Sequence, residues 1–187
     1  MKARLAAVAL VAAVGAASVG YLQLTSDHVA AFEGIRHTAY QDSAGVWTIC
    51  YGHTRGVHAG MRATQAQCDA WLLEDLAEAD AIVDRCMPDT MGASRRAAFI
   101  SFAYNVGPGA EGVKDGLCVL RNGNKPYIRR MSEQGRWQEA CDGLLAWTKA
   151  GGVELRGLVK RRHSERALCL AIDFGNVRSG VAHSAEH

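Results

Sequence analysis

Glu33, Asp42 and Thr48 lie close together in the chain, with eight residues between the first two and five between the last two. Two carboxyls and a hydroxyl so placed suit the cleavage of a glycosidic bond. One carboxyl must hold a proton and give it to the leaving oxygen. The other must stay ionised to face an oxocarbenium-like transition state. Unequal surroundings separate such a pair and assign the two roles. Glu33 follows the apolar pair Ala31-Phe32; a carboxyl beside apolar groups loses hydration and keeps its proton more tightly. Glu33 is therefore the expected general acid. Asp42 sits in the polar stretch Gln41 to Gly45 and is expected to stay charged. The hydroxyl of Thr48 is placed to orient an attacking water. A plainer reading of the same residues exists: Asp42-Ser43 as turn chemistry and Glu33 as a surface helix charge. Spacing alone does not separate the two.

The elements that must position these groups follow from pattern. A short helix capped by Asp27 and stopped at Gly34 would end on Glu33. Val46 to Tyr51 is rich in β-branched and aromatic residues and reads as a strand, so a hairpin would bring Asp42 and Thr48 to one rim. Residues 52 to 61 read as loop. Thr64-Gln65-Ala66-Gln67 opens a helix with a capping box, running to about Cys86. Its buried face is Cys68, Trp71, Leu72, Leu76, Ala79 and Val83, at helical spacing. Ala93 to Val106 is a largely apolar helix in which Phe99, Phe102 and Tyr104 are expected to pack. Pro126 starts a short helix through Met131. One helix is expected over 133 to 148, a loop at Gly151-Gly152, and a last helix over 155 to 171.

Several motifs together resemble the phage-lysozyme family of muramidases. They are the Glu33, Asp42, Thr48 spacing; Gly45-Val46-Trp47-Thr48 with Tyr51-Gly52-His53-Thr54; Ser101 to Gly107; and Trp147 … Ala150-Gly151-Gly152 … Gly157-Leu158 … Arg161-Arg162 … Glu165-Arg166 … Cys169. The resemblance spans roughly residues 25 to 170. It implies a lysozyme-like α+β fold that is mainly α, with a small β-hairpin lobe, a larger helical lobe and a cleft between them. It implies Glu33, Asp42 and Thr48 as catalytic residues. It further implies hydrolysis of the β-1,4 bond between N-acetylmuramic acid and N-acetylglucosamine in peptidoglycan, with inversion, for host cell lysis. The family keeps an amide near the cleft, which makes Asn105 a candidate substrate contact.

Residues 1 to 24 form a separate region. Lys2 and Arg4 precede an uncharged run from Leu5 to Leu24. Twenty such residues make about 30 Å of helix, enough to span a bilayer core. The basic flank predicts a cytoplasmic N-terminus and an exported body. Many Ala and Gly residues make the run only weakly apolar. A cleaved signal peptide ending near Val14-Gly15-Ala16 is one reading. The other is a signal-anchor-release segment, as in the endolysin subset that the chain is similar to. It would enter the host inner membrane through the export machinery and later leave it. While embedded it would misplace Glu33, only nine residues beyond Leu24; after release it would fold against the body. The expected divisions are thus 1–24, a catalytic body over 25–171, and a polar tail over 172–187.

The chain has 187 residues and a formal net charge of +2. Without Lys2 and Arg4 the balance is 2 − 2 = 0, so steering to a polyanion is not implied, and no nucleic-acid motif is present. Arg156, Lys160, Arg161, Arg162 and Arg166 make the last helix basic; a solvated face is the expectation for most of them. The six cysteines are Cys50, Cys68, Cys86, Cys118, Cys141 and Cys169. Behind an export segment they point to disulfides in an oxidising periplasm. Six cysteines allow fifteen pairings; the resemblance and the helix order favour 50 with 68, 86 with 118 and 141 with 169. No cysteine lies in residues 1 to 24, which closes the route by which some relatives use a membrane-segment thiol as a switch. Cys50, His53 and His58 lack a fourth ligand of matching spacing, so neither metal nor cofactor is expected. The expected state is a monomer. Competing readings are a lytic transglycosylase, a membrane-tethered wall-binding protein without catalysis, and a lesion-forming protein acting through residues 5 to 24.

Overall fold

The computed structural model describes residues 16–42 and 44–171; the expectations for residues 1–15, Ser43 and the tail 172–187 lie outside them. Its first helix, α1 (Ala16–Glu33), is longer than the sequence predicts. Asp27 does not cap it. Extending an existing helix costs less than nucleating a new one, and Asp27 sits inside the helix, accepting from Gln23 Nε2 at 2.9 Å one turn back. The helix therefore runs unbroken through the expected 24/25 division. Val29 and Thr25 are buried on its inner face, and Tyr21 and Leu22 pack against the main core. The Tyr21 hydroxyl donates to Asp80 Oδ2 at 3.1 Å, and the Arg96 guanidinium lies 4.9 Å from the Tyr21 ring centre. Among the described residues no helix is long and apolar enough to cross a membrane.

Gly34 ends α1 in the left-handed region, φ +63°, which glycine adopts without a Cβ clash. Strand β1 (Arg36–Gln41) then pairs antiparallel with β2 (Trp47–Cys50). This hairpin forms the small lobe around Ile49, Cys50 and Cys68. The Cys50–Cys68 bridge, Cα–Cα 5.1 Å, ties the end of β2 to the first turn of α2 (Gln65–Cys86). The capping box on Thr64 and Gln67 is present. The expected face of α2 is inside, with Cys68, Leu72, Leu76, Ala79 and Val83 buried.

Helix α3 (Ala93–Val106) is the axis of the large lobe, with Phe99, Ile100 and Phe102 fully buried. It packs against α1, α2 and the last helix. The single helix expected over 133 to 148 is broken. The short helix expected from Pro126 is α4 (Tyr127–Glu133), and the 133–148 span holds α5 (Trp137–Asp142) and a 3-10 turn, Gly143–Ala146. The chain tightens at Gly143, where a Cβ would stand 2.9 Å from Ile128 Cγ1. Close packing against α4 thus sets the local path. Gly151-Gly152 forms the tip of a two-residue hairpin, β3 (Lys149–Ala150) and β4 (Val153–Glu154), before α6 (Arg156–Leu170). Cys86–Cys118 and Cys141–Cys169 are also paired, with Cα–Cα 5.1 and 5.7 Å.

Candidate active site

The two lobes enclose a groove of about 400 Å³. Glu33, Tyr104 and Asn105 line it from the helical lobe, Tyr51, Gly52 and Arg55 from the hairpin side, and Asp75 and Glu78 from α2. Glu33 is the last residue of α1, and its side chain is 26 % exposed. Its neighbour is not the apolar surface that Ala31-Phe32 suggests. Glu33 Oε1 is paired with the Arg161 guanidinium from α6. Oε2 has no hydrogen bond among the described residues.

Arg161 and Arg162 do not belong to a solvated face. They are 4 % and 0 % exposed, and Glu165 beside them is 0 % exposed. Buried charges persist only when paired and hydrogen-bonded. Glu165 meets that need twice. Oε1 accepts from Arg161 Nε at 3.0 Å and from the Ser101 hydroxyl at 2.8 Å, while Oε2 is paired with Arg162. Arg161 also donates to the Ser101 carbonyl at 3.1 Å, and Arg162 to the Trp147 carbonyl at 3.0 Å. Arg162 lies over the Phe102 ring at 4.7 Å. Burial lowers its guanidinium from the ordinary value, and Glu165 opposes that shift. The network fixes the Glu33 partner in place. The Arg161 cation thus faces the Glu33 carboxyl directly.

Asn105 is held by the same network. Its side-chain oxygen accepts from Arg162. A guanidinium only donates, so this contact fixes the amide orientation of Asn105, which lines the groove. Tyr104 was expected only to pack. It instead closes the groove wall, donating to the Tyr51 carbonyl at 2.7 Å and so joining the two lobes. Burial, then the charge of Glu33, pushes its phenol up, which keeps it a neutral donor.

Asp42 and Thr48 stand on the hairpin and are not among the groove-lining residues. The register pairs Tyr40 with Thr48 and Gln41 with Trp47. Asp42 is the first residue after β1, at the start of the turn that leads to β2. Val46 links Asp42 and Thr48. Its N–H donates to Asp42 Oδ1 at 2.8 Å, and its carbonyl accepts from the Asp42 N–H and from the Thr48 hydroxyl, both at 3.0 Å. Ala44 N–H also donates to Asp42 Oδ1, at 2.9 Å. Oδ2 has no hydrogen bond among the described residues. Thr48 spends its proton on Val46, and the residue is buried. The exposed Asp42 carboxylate therefore presents Oδ2 at the rim, with the buried Thr48 hydroxyl linked to it through Val46.

His53, in the loop after β2, is buried. Its ring stacks on Trp71 at 5.0 Å, and its nitrogens face Asp75 at 2.9 Å and the Arg55 carbonyl at 3.1 Å. These contacts occupy both ring nitrogens, and Cys50 is in a disulfide, so the candidate zinc set is not assembled. Sequence reasoning missed Arg161, Arg162 and Glu165 as parts of the site. Their three- and four-residue spacing, which places opposite charges on one helix face, was the available signal.

The profile of the phage lysozyme family matches residues 30–165. The chain is 37 % identical over 143 residues to the SAR-endolysin of Enterobacteria phage P21, covering 74 % of this chain and 77 % of that protein. Among solved structures it is similar to the active form of the P1 phage endolysin Lyz, with TM-score 0.68 and 29 % identity over 78 % of this chain and 83 % of that one. It is also similar to the muramidase domain of SpmX from Asticaccaulis excentricus, with TM-score 0.67 and 30 % identity over 80 % and 97 %. The matched span covers the helix end carrying Glu33, the hairpin carrying Asp42 and Thr48, and the Arg161–Glu165 network. With that groove and these relatives, the chain belongs to the phage lysozyme family and is a lysozyme-type glycosidase.

Proposed function

We propose that this protein is an endolysin that hydrolyses the β-1,4 bond between N-acetylmuramic acid and N-acetylglucosamine, with inversion. Glu33 Oε2 protonates the leaving oxygen. Asp42 Oδ2 takes a proton from a water that the Thr48 oxygen also holds, and that water attacks the anomeric carbon from the opposite side. In inverting enzymes the two carboxyls stand about 6.5–9.5 Å apart to admit this water. Asn105 binds an acceptor on the sugar through its NH2. The observation that carries the reading is Glu33 in the groove, with one oxygen on Arg161 and the other free.

The SAR-endolysin relatives support a tether over residues 1–24, inserted in the host inner membrane with the N-terminus cytoplasmic and the body periplasmic. Helix α1 supports a link between tether and acid, because one helix runs from Ala16 to Glu33. In the released state its inner face is packed on α3 and Tyr21 rests on Asp80. The partners in this reading are peptidoglycan, the export machinery and, before release, the inner membrane.

Mass spectrometry of digested peptidoglycan tests the chemistry. Reducing N-acetylmuramic acid ends are expected. Anhydro ends would show a lytic transglycosylase, which needs no water and leaves Asp42 and Thr48 without a role.

A further inference from the structure

We propose that Lys114 binds a carboxylate on the peptide borne by N-acetylmuramic acid, at the Gly107 end of the groove; this rests on the muramidase reading. Gly107 lines the groove and has φ +74°, and a Cβ there would stand 3.1 Å from Lys114 Nζ. The missing side chain lets the ammonium lie against the groove wall. Its hydrogen bond is a long one, 3.4 Å to the Val106 carbonyl. An ammonium has three hydrogens to donate, so most of its capacity is unused. No carboxylate pairs with it among the described residues. The adjacent Asp115 uses Oδ1 on the Arg121 N–H at 2.6 Å.

The lysine is presented by a braced loop. Ala110 and Lys114 exchange two backbone bonds of 2.9 Å. Leu117 N–H donates to the Gly107 carbonyl at 3.0 Å, Cys118 N–H to that of Pro108 at 2.9 Å, and Cys118 is bridged to Cys86 at the end of α2. The groove wall at Arg55 and α2 differs in charge. There Arg55 is paired with Glu74, Asp75 and Glu78, so carboxylates dominate and repel an anion. The cut bond belongs to the muramic ring, so the ring that carries the peptide is held beside Glu33. Its peptide must leave past one lip or the other. Charge favours the Lys114 side.

The test compares wild type, Lys114→Gln and Lys114→Arg on two substrates. One is native glycan strands carrying peptide; the other is the same strands with peptide carboxylates converted to amides. Lys114 is exposed, and circular dichroism checks that each variant is folded. On native strands Lys114→Gln should raise KM about three- to fivefold with kcat unchanged, the size expected of one exposed ion pair, and Lys114→Arg should keep most of the wild-type affinity. On amidated strands all three proteins should behave alike. Equal losses on both substrates, or no loss on native strands, would overturn the assignment. If wild type cuts neither substrate, the muramidase reading falls and the Lys114 assignment falls with it.

Discussion

His28 shows how one side chain on α1 senses the charged network beneath Glu33. Its Nε2 is buried and has no hydrogen-bond partner among the described residues. Burial lowers its pKa from 6.5; Arg161 adds to the lowering and Glu165 opposes it. The folded state thus prefers the neutral ring. Stability from this site is full above the unfolded value and is lost as pH falls through the lower folded value. His28→Gln should therefore flatten the decline of Tm between about pH 7 and pH 5 relative to wild type. Parallel curves would refute the effect. At this scale the sequence was informative about identity and weak about surroundings. Glu33, Asp42 and Asn105 were legible as candidates from their spacing and the motifs around them. The guanidinium on Glu33 was not, because it comes from 128 residues further along the chain. A lone helix sequence does not tell which of Arg161, Arg162 and Arg166 faces inward.

At the scale of elements, the turn after α1 sets the direction in which Glu33 and β1 diverge. Gly34 has φ +63° and open space around the position of a Cβ. Gly34→Ala therefore costs backbone strain alone, roughly 1 kcal/mol, or a fall of about 2–4 °C in Tm for a domain of this size. The rate should fall further than the stability, because the strain is relieved where the acid meets the hairpin. A variant with unchanged Tm and unchanged rate would contradict this. Helices with strong local signals were read well: the capping box fixed α2, and the apolar run fixed α3. Where long-range packing overrides local pattern, the reading failed. The break at Gly143 answers to Ile128 and Tyr127 on another helix, and the continuity of α1 through Asp27 answers to the face it buries on α3.

For the whole molecule, α1 is both the carrier of Glu33 and the continuation of the N-terminal segment. If residues 1–24 lie in a bilayer, Tyr21 cannot reach Asp80, and the helix that ends on Glu33 is drawn from its seat. The full-length protein in membrane vesicles should therefore cut added peptidoglycan at least about tenfold more slowly than the released form, a loss well within what misplacing a catalytic group costs. Equal rates would remove the tether as a control. Tyr21→Ala should lower the stability of the released form and leave membrane insertion intact. From the sequence, a segment able to enter a membrane was expected over residues 1 to 24. The sequence did not show the docking of its second half, because Asp80 and Arg96 look like ordinary surface charges until α1 is laid across them.

The proposed chemistry requires Glu33 to donate a proton to the leaving oxygen. The most direct measurement is the initial rate of glycan-strand cleavage by purified Glu33→Gln, with fold checked by circular dichroism. Glutamine keeps the shape and a contact to Arg161 but has no proton of that acidity to give. A fall of at least about 10²-fold is expected, the low end of what a general acid supplies, with no change in strand binding. A variant that keeps more than a tenth of the wild-type rate would show that the acid lies in another residue.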